Sequence, residues 1–455
     1  MSAYIQPILS NEGRLGHLTP EQNLKLQEFW VRLYDIFDGK VDFDQTAPPS
    51  FKGQHRDADV SSLYSPAPIS SLTSSSSSST TVAVQAPVTQ NAGWFGGFGP
   101  SAAAGFVDAV SNGSDTAMAS EQDAAPRFTG KQLHRIFWKI TMMDHPDLVV
   151  LKYIRARKWV IDDALKMVLN ALKWRVVEQL DELVELSDME LDVKYPKFIE
   201  QLRSGKGYLR GADPLGRPMS IINTRLHHKG DQPPETIHRY TLYTMECGRT
   251  VLESGAESVI VLFDLSDFGL DNMDWGFIRL FVQCFEAYYP ETLGVCIIHK
   301  APYVFWGIWK LIQPLLDPVV TAKFVFTRSN ADLHKVIPRE RLPIIPYDGL
   351  DDWKYEYIPT QEGENDCRND VVQRDALVNE RHELERRFEE VSKQWSQRMD
   401  GSHSAERDQI AAQLKEQYAR LWPYVRAVNM YQRWGAALPT GVNWEYNVVQ
   451  DMELD

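Results

Sequence analysis

The chain has 455 residues, 43% of them hydrophobic, and a formal net charge of −14. At about 150 residues per domain this predicts roughly three units with ample material for a core, and the acidic balance excludes a general nucleic-acid binder, which needs a basic excess or stripe. No run approaches 18 consecutive apolar residues, so no transmembrane helix is expected.

The first residues, MSAYIQPILSNEGRLG, lack the basic and apolar stretches of a secretory leader. Cys247, Cys284, Cys296 and Cys367 are dispersed, with no CxxC pair. Both features predict a cytoplasmic chain with free thiols and no structural metal.

Residues 1–40 hold one predicted helix, over 18–38. Thr19 is the cap, Pro20 takes the first turn and Gln22 stands where a capping box needs it. Leu26, Phe29, Trp30, Leu33, Tyr34 and Phe37 then recur at helical spacing, a face expected to pack on a later helical subdomain. Residues 41–126 read as a disordered insert: Ser, Ala, Gly, Thr and Pro dominate, with unbroken serine from Ser74 to Ser79. Such a segment buries too little apolar surface to offset its chain entropy. One island, Gly93-Trp94-Phe95-Gly96-Gly97-Phe98-Gly99, is either a docking or membrane-touching element or a sticky patch in a linker.

Residues 127–189 form a predicted helical subdomain. Phe137, Trp138, Ile140 and Met142 begin it, Leu148 to Ile154 continue it into Arg155-Ala156-Arg157-Lys158-Trp159, and Asp162-Asp163 open a helix with the stripe Leu165, Val168, Leu169, Leu172 and Val176. Residues 190–355 alternate. The turn Gly211–Pro218 leads to the strand Met219–Ile222, and Val259–Phe263 is apolar and β-branched enough for a buried central strand. The aromatic helix Trp275–Tyr289 stops at Pro290, and the strand Leu293–His299, a helix over Pro302–Leu316 and the strand Phe324–Phe326 follow. That alternation predicts an α/β domain with a mostly parallel sheet.

Residues 356–455 read as a helical hairpin. Leu377, Leu384 and Val391 lie seven apart, Asp400-Gly401 turns the chain, and Ile410, Leu414, Leu421 and Val425 repeat the pattern, with Pro423 expected to start a new helical piece. The hairpin either binds a partner or packs on its own chain; the bulk of Trp422, Trp434 and Trp444 favours self-packing.

No G-x-S-x-G, H-E-x-x-H or Walker lysine motif is present, and Gly205–Gly211 has the wrong last spacing for a dinucleotide loop. His299, Asp264 and Ser266 near strand ends permit a hydrolase to be imagined, but without the nucleophile elbow no catalytic residue is expected. The unusual segment is Tyr303–Ile312, apolar nearly all round with two tryptophans, which must be buried or meet lipid. Large apolar volume beside isolated charges, here Glu291 and Lys323, is the pattern of a ligand cavity.

Ile154-Arg155-Ala156-Arg157-Lys158-Trp159, the Gly216-Arg217-Pro218 turn, Tyr288-Tyr289-Pro290-Glu291, Leu316-Asp317-Pro318 followed by Lys323, and Leu342-Pro343-Ile344-Ile345-Pro346-Tyr347-Asp348-Gly349 together resemble the CRAL-TRIO lipid-binding family, over about residues 127–355. The likeness is strongest to its non-classical phosphatidylinositol transfer proteins. It implies a mostly parallel sheet flooring an apolar cavity that holds one lipid under a helical gate. By that resemblance Arg157, Glu291 and Lys323 hold an inositol-lipid headgroup. The family hydroxyl three residues before the lysine is Val320 here, with Thr321 its substitute. The gate and membrane contact fall to Phe305, Trp306 and Trp309, and the cavity lining to Val259, Val261, Phe281 and Phe285.

Val259 and Val261 stand where classical members carry hydroxyls for choline lipids, so weak or no phosphatidylcholine binding is expected. The second ligand, if any, is a sterol or another isoprenoid. Two acyl chains carry on the order of 30 methylenes at ~0.8 kcal/mol each, so only near-complete enclosure makes extraction from a bilayer feasible. The expected partners are membrane lipids, met through transient peripheral contact, and lipid-modifying enzymes. A non-exchanging scaffold that binds proteins through the C-terminal helices is the alternative.

Overall fold

The computed structural model describes residues 12–46, 48, 127–252, 256–439 and 441–444. The serine run and the Trp94-Phe95 island lie outside the described residues. Helix α1 (Pro20–Phe37) begins as its sequence dictates: Thr19 Oγ1 accepts from the Gln22 amide at 3.2 Å, and the Thr19 amide donates to Gln22 Oε1 at 3.0 Å. Its buried face, with Leu26, Phe29, Trp30 and Leu33, packs on α2 (Gly130–Thr141), α3 (Pro146–Ala156) and α4 (Ile161–Val177). Thr46 and Arg127 are bridged antiparallel, and the Phe128 amide donates to Gln45 O at 2.9 Å, so α1 and the helical subdomain are tied together here.

Two details of the helical reading change. Met142, at φ +49, ends α2, and Pro146 starts α3 as a separate helix capped by His145, because proline is favoured in a first turn and disfavoured inside. Val176, placed on the buried stripe, is 42% exposed at the end of α4; the stripe has rotated past the core there. Three short helices, α5 (Leu180–Glu185), α6 (Asp188–Lys194) and α7 (Phe198–Arg203), lead to the sheet.

The sheet runs in simple order, β1 (Gly207–Ala212), β2 (Pro218–Asn223), β3 (Val259–Asp264), β4 (Leu293–His299) and β5 (Phe324–Thr327). Only β1 is antiparallel to its neighbour; β2 to β5 are parallel. Helix α8 (Pro234–Gly248) links β2 to β3, α9 (Trp275–Gln283) links β3 to β4, and α10 (Phe305–Ile312) with the single turn α11 (Pro318–Thr321) links β4 to β5. Parallel strands in sequential order place such crossovers on one face.

Alternation sorts β3 between two cores: Ile260 and Leu262 join the large cluster, Val259 and Val261 the cluster beneath the crossover helices. A register shift beside Val259 interrupts the β3–β4 ladder. There a Cβ on Gly294 would lie 2.8 Å from Ser258 Oγ and 2.9 Å from an Arg217 nitrogen, so a larger residue would have to displace these side chains.

The predicted helix to Tyr289 is α-helical to Gln283 and widens into a π-turn over Cys284–Tyr288. The predicted helix over Pro302–Leu316 is shorter, since the 3-10 turn Gln313–Leu315 carries Pro314.

After the single turns α12 (Asn330–Leu333) and α13 (Ile344–Tyr347) the chain forms α14 (Val371–Ser396) and α15 (Ala405–Val425). Pro423 does not begin a new piece: it sits in the last turn of α15, and the next helix, α16 (Met430–Arg433), starts at its Asn429 cap. The hairpin packs on its own chain. Trp395 and Trp422 are buried, α14 lies against α1, and Arg407 of α15 pairs with Asp147 of α3, its Nη1 at 2.7 Å from Oδ2. Trp30 Nε1 donates to the same carboxylate at 2.7 Å, and the Arg407 guanidinium lies 4.0 Å from the Trp395 ring centre.

Candidate binding cavity

The crossover helices do not close on the sheet. Between them lies a cavity of about 1670 Å³, its open mouth included, with an almost wholly apolar wall. Val259, Val261, Phe263 and Ile298 floor it; Phe277 and Phe281 of α9 with Phe285 of the π-turn form one wall, and Phe305, Trp309 and Ile312 of α10 another. Edge-to-face contacts run from the floor along this wall, Phe263 to Phe281 at 5.2 Å and Phe281 to Phe285 at 4.7 Å between centres.

Helix α8 adds Thr241 and Thr244, which sequence reasoning missed. Their hydroxyls donate to the Ile237 and Tyr240 carbonyls at 2.8 and 2.9 Å, one turn back. A threonine spent on its own helix can present its methyl to the lumen.

The four lining residues read from the sequence, Val259, Val261, Phe281 and Phe285, therefore line one space. Of the three gate residues, Phe305 and Trp309 face that space and are buried, whereas Trp306 is 38% exposed. The outer side of the α10–α11 segment is also apolar: Tyr303 is 95% exposed, Leu311 53%, and Leu315 and Val319 55% each. An exposed apolar stretch beside a cavity is the mark of an interaction surface.

The charged residues lie at the amino-terminal edge of the parallel strands. Glu291 precedes β4 in a left-handed turn, φ +58, and Lys323 precedes β5; their neighbours Thr292 and Phe324 line the cavity. Lys323 Nζ donates to Leu293 O at 2.8 Å. Burial pushes its pKa down, opposed by the Glu291 carboxylate. Thr321, at the end of α11, is half-buried two residues before the lysine.

Arg157, the C-cap of α3, is exposed and acts electrostatically on Glu286, whose carboxyl burial pushes up. Glu286 Oε1 accepts the Asp317 amide at 2.8 Å, and Asp317 caps the turn that carries Thr321. The structure thus sets Glu291, Lys323 and Thr321 at one edge, while Arg157 is exposed and lies within electrostatic reach of Glu286. Arg155, the other arginine of its segment, is engaged elsewhere, with Glu257 and Gly13 O.

The residues that suggested a hydrolase have structural partners. His299 is buried, with Nδ1 2.8 Å from Thr327 Oγ1 and Nε2 3.1 Å from Asn330 Oδ1, and the Ser266 amide donates to Asp264 Oδ1 at 2.9 Å. Among the described residues no helix is long and apolar enough to cross a membrane.

Residues 202–347 match the CRAL/TRIO domain, and residues 117–170 match the CRAL/TRIO N-terminal domain. A CRAL-TRIO domain-containing protein of Schizosaccharomyces pombe is 37% identical over 308 residues, 67% of this chain and 68% of that one. The phosphatidylinositol transfer protein CSR1 of Eremothecium gossypii is 34% identical over 309 residues, 66% of this chain and 71% of its own length. The phosphatidylinositol transfer protein PDR17 of Saccharomyces cerevisiae is 27% identical over 216 residues, 46% of this chain and 58% of its own.

Proposed function

The chain belongs to the CRAL/TRIO family, and on that premise we propose that it carries phosphatidylinositol between membranes or presents it to lipid-modifying enzymes. The observation that carries this reading is the lidded apolar cavity with Glu291 and Lys323 at one edge. The almost wholly apolar wall suits acyl chains. Lys323 and Arg157 supply charge-assisted hydrogen bonds to a phosphate, and Glu291 and Thr321 accept from or donate to inositol hydroxyls. Val259 and Val261 offer a choline-lipid phosphate no donor from the floor, which supports a cargo other than phosphatidylcholine.

Loading needs α10 to swing from the sheet at a membrane. Its outer face, Tyr303, Trp306, Leu311 and Leu315, suits contact with the interface. That contact is transient and peripheral, and the protein works in the cytoplasm. A carrier is favoured over an enzyme because His299 and Asp264 are spent on structural bonds. It is favoured over a scaffold because Leu377, Phe388, Trp395 and Trp422 of the C-terminal hairpin are buried within the chain.

Transfer of labelled phosphatidylinositol between vesicles tests the proposal, with phosphatidylcholine as the parallel cargo. Phosphatidylinositol should move and phosphatidylcholine hardly at all. Arg157→Ala and Lys323→Ala should each cut phosphatidylinositol transfer at least tenfold at unchanged Tm. Undiminished transfer in both folded variants removes the headgroup assignment; no transfer of either lipid by the unaltered protein removes the carrier reading.

A further inference from the structure

Beside the last described residues lies an excess of positive charge. The final strands form a two-residue hairpin, β6 (Ala437–Leu438) with β7 (Gly441–Val442), and β7 packs against the 3-10 turn Arg249–Val251 that follows α8. Trp444, two residues on, is buried in the main core. Residues 445–455 lie outside the described residues; they carry Glu445, Asp451, Glu453 and Asp455 and no lysine or arginine.

Four cations gather around α3 and that turn. Lys152 and Arg155 stand three apart on α3 and so share a face. Arg155 pairs with Glu257, as does Arg14 at 3.4 Å. Arg249 Nη1 lies 3.4 Å from Glu246 Oε2, and its other terminal nitrogen 3.9 Å from Asp144 Oδ2. Glu246 is already held by both terminal nitrogens of Arg175, at 2.8 and 2.9 Å. That leaves Glu257 and Asp144 to answer Arg14, Lys152, Arg155 and Arg249, in a chain whose formal net charge is −14.

Lys152 is the member left over. It is partly buried and has no hydrogen bond or ion pair among the described residues. Burial pushes its pKa down; Asp144 and Glu257 oppose that, and Arg249 and Arg155 add to it. An ammonium so placed, short of water and beside two guanidinium groups, gains from one more carboxylate.

The cluster adjoins the headgroup edge. Arg249 lines the cavity with Thr292 and Phe324, the neighbours of Glu291 and Lys323, and Glu246 links Arg249 to Tyr289. The tail has the reach to arrive there, since eleven residues span up to ~35 Å when extended. Asp451, Glu453 and Asp455 alternate with Met452 and Leu454, so an extended segment presents all three carboxylates on one side.

We propose that the acidic tail, through Asp451, Glu453 and Asp455, seats on the Lys152–Arg155–Arg249 cluster and there competes with the phosphates of anionic lipid. The seating is independent of the cargo. The competition rests on the carrier reading, which brings a lipid phosphate to this edge.

Zero-length carbodiimide cross-linking of the full chain, mapped by mass spectrometry, reads the seating: an amide should join Lys152 Nζ to Asp451, Glu453 or Asp455. Phosphatidylcholine vesicles containing phosphatidylserine should cut its yield about fivefold or more, because lipid phosphates and carboxylates take the same cations; phosphatidylcholine vesicles alone should leave it unchanged. The full chain carrying Asp451→Asn, Glu453→Gln and Asp455→Asn should bind the phosphatidylserine vesicles about tenfold more tightly than the unaltered protein, the equivalent of ~1.4 kcal/mol. Glu380→Gln, Glu383→Gln and Glu390→Gln together make the same change in net charge on the exposed face of α14 and should gain far less. Tail carboxylates joined only to other lysines, or to none, overturn the seating. Equal gains in the two triple variants overturn it as well, since net charge alone then accounts for them. A Lys152 cross-link that phosphatidylserine does not diminish keeps the seat and overturns the competition. Failure of the carrier reading shows itself differently, as absent lipid transfer with the cross-link intact.

Discussion

Tyr289 donates its hydroxyl to Glu246 Oε1 at 2.7 Å, which ties the Tyr288-Tyr289-Pro290-Glu291 loop to the middle of the molecule. Glu246 is almost fully buried on α8 and takes a two-pronged bond from Arg175 of α4, at 2.8 and 2.9 Å. Burial alone would raise its pKa, but the Arg175 and Arg249 guanidinium groups hold it well below the usual carboxylate range. Two residues beyond Tyr289 stands Glu291, so one buried carboxylate positions the proposed headgroup edge.

Glu246→Gln should cost about 3–5 kcal/mol, because it takes the two-pronged counter-ion from buried Arg175 and leaves only the longer Asp181 contact at 3.7 Å. Denaturant unfolding reads that loss. The pH dependence gives a second check. A carboxyl depressed in the folded state contributes stability in full above its unfolded pKa of ~4.3 and loses it as pH falls through the folded value. The unaltered protein should weaken below about pH 4, and the variant should show a shallower fall over the same range.

Leu311→Asp with Leu315→Asp places charge on the outer face of the α10 segment, where both side chains are more than half exposed. Tm should move little, since surface changes away from special features stay within about 0.5 kcal/mol. Vesicle co-sedimentation and lipid transfer should both fall about tenfold or more, because a charge resists entry to the bilayer interface. Unchanged co-sedimentation would show that another face meets the membrane.

Lys206→Met should stabilise the lipid-free protein by on the order of 2 kcal/mol at pH 7, since the charged form is disfavoured by burial. The pH slope has the same sign as for Glu246, since both pKa values are lowered in the fold, but here the charged form is the disfavoured one. A lysine depressed in the fold gives a stability that rises with pH between about 8, its folded pKa, and ~10.4, its unfolded one. Denaturation midpoints at pH 7 and pH 10 should converge towards the variant's at the higher pH. A destabilised variant at pH 7 would mean that the ammonium is better satisfied than its one long bond, 3.3 Å to Gln232 Oε1, implies.

Arg407→Ala should cost about 3–5 kcal/mol, for the buried Asp147 carboxyl between α1, α3 and α15 would lose its guanidinium partner. Asp147→Asn combined with Arg407→Met should cost much less, because no charge is then left unpaired. Urea midpoints of the two variants decide it; equal losses would show that the packing of Arg407 on Trp395, at 4.0 Å, matters more than its charge.

Much of the fold is legible because its signals are local. The Thr19–Gln22 capping box, the β-branched run at Val259–Phe263 and the proline at 290 act within a few residues, and they locate α1, β3 and the end of the aromatic helix. Val259, Val261, Phe281 and Phe285 are legible as lining for the same reason: strand alternation and helical spacing put them on one face. Pro423 shows the limit. A proline in the last turn of a helix and one at the start of the next have similar local sequence, and only the packing of Leu421 and Trp422 decides between them.

What the sequence determined by itself was the kind of molecule: a mostly parallel sheet, an apolar segment at 303–312 that had to be buried or meet lipid, and a set of spaced motifs. What only the tertiary structure decided was how that segment divides, with Phe305 and Trp309 turned to the cavity and Tyr303 and Leu311 turned out. It also decided which polar groups meet. Lys206, His227 and Asp274 come from three separate loops, and Glu246 reaches Tyr289 across 43 residues. Local spacing carries no information about such pairs, since they are created by strand order and crossover geometry, which bring distant loop ends to one edge of a sheet.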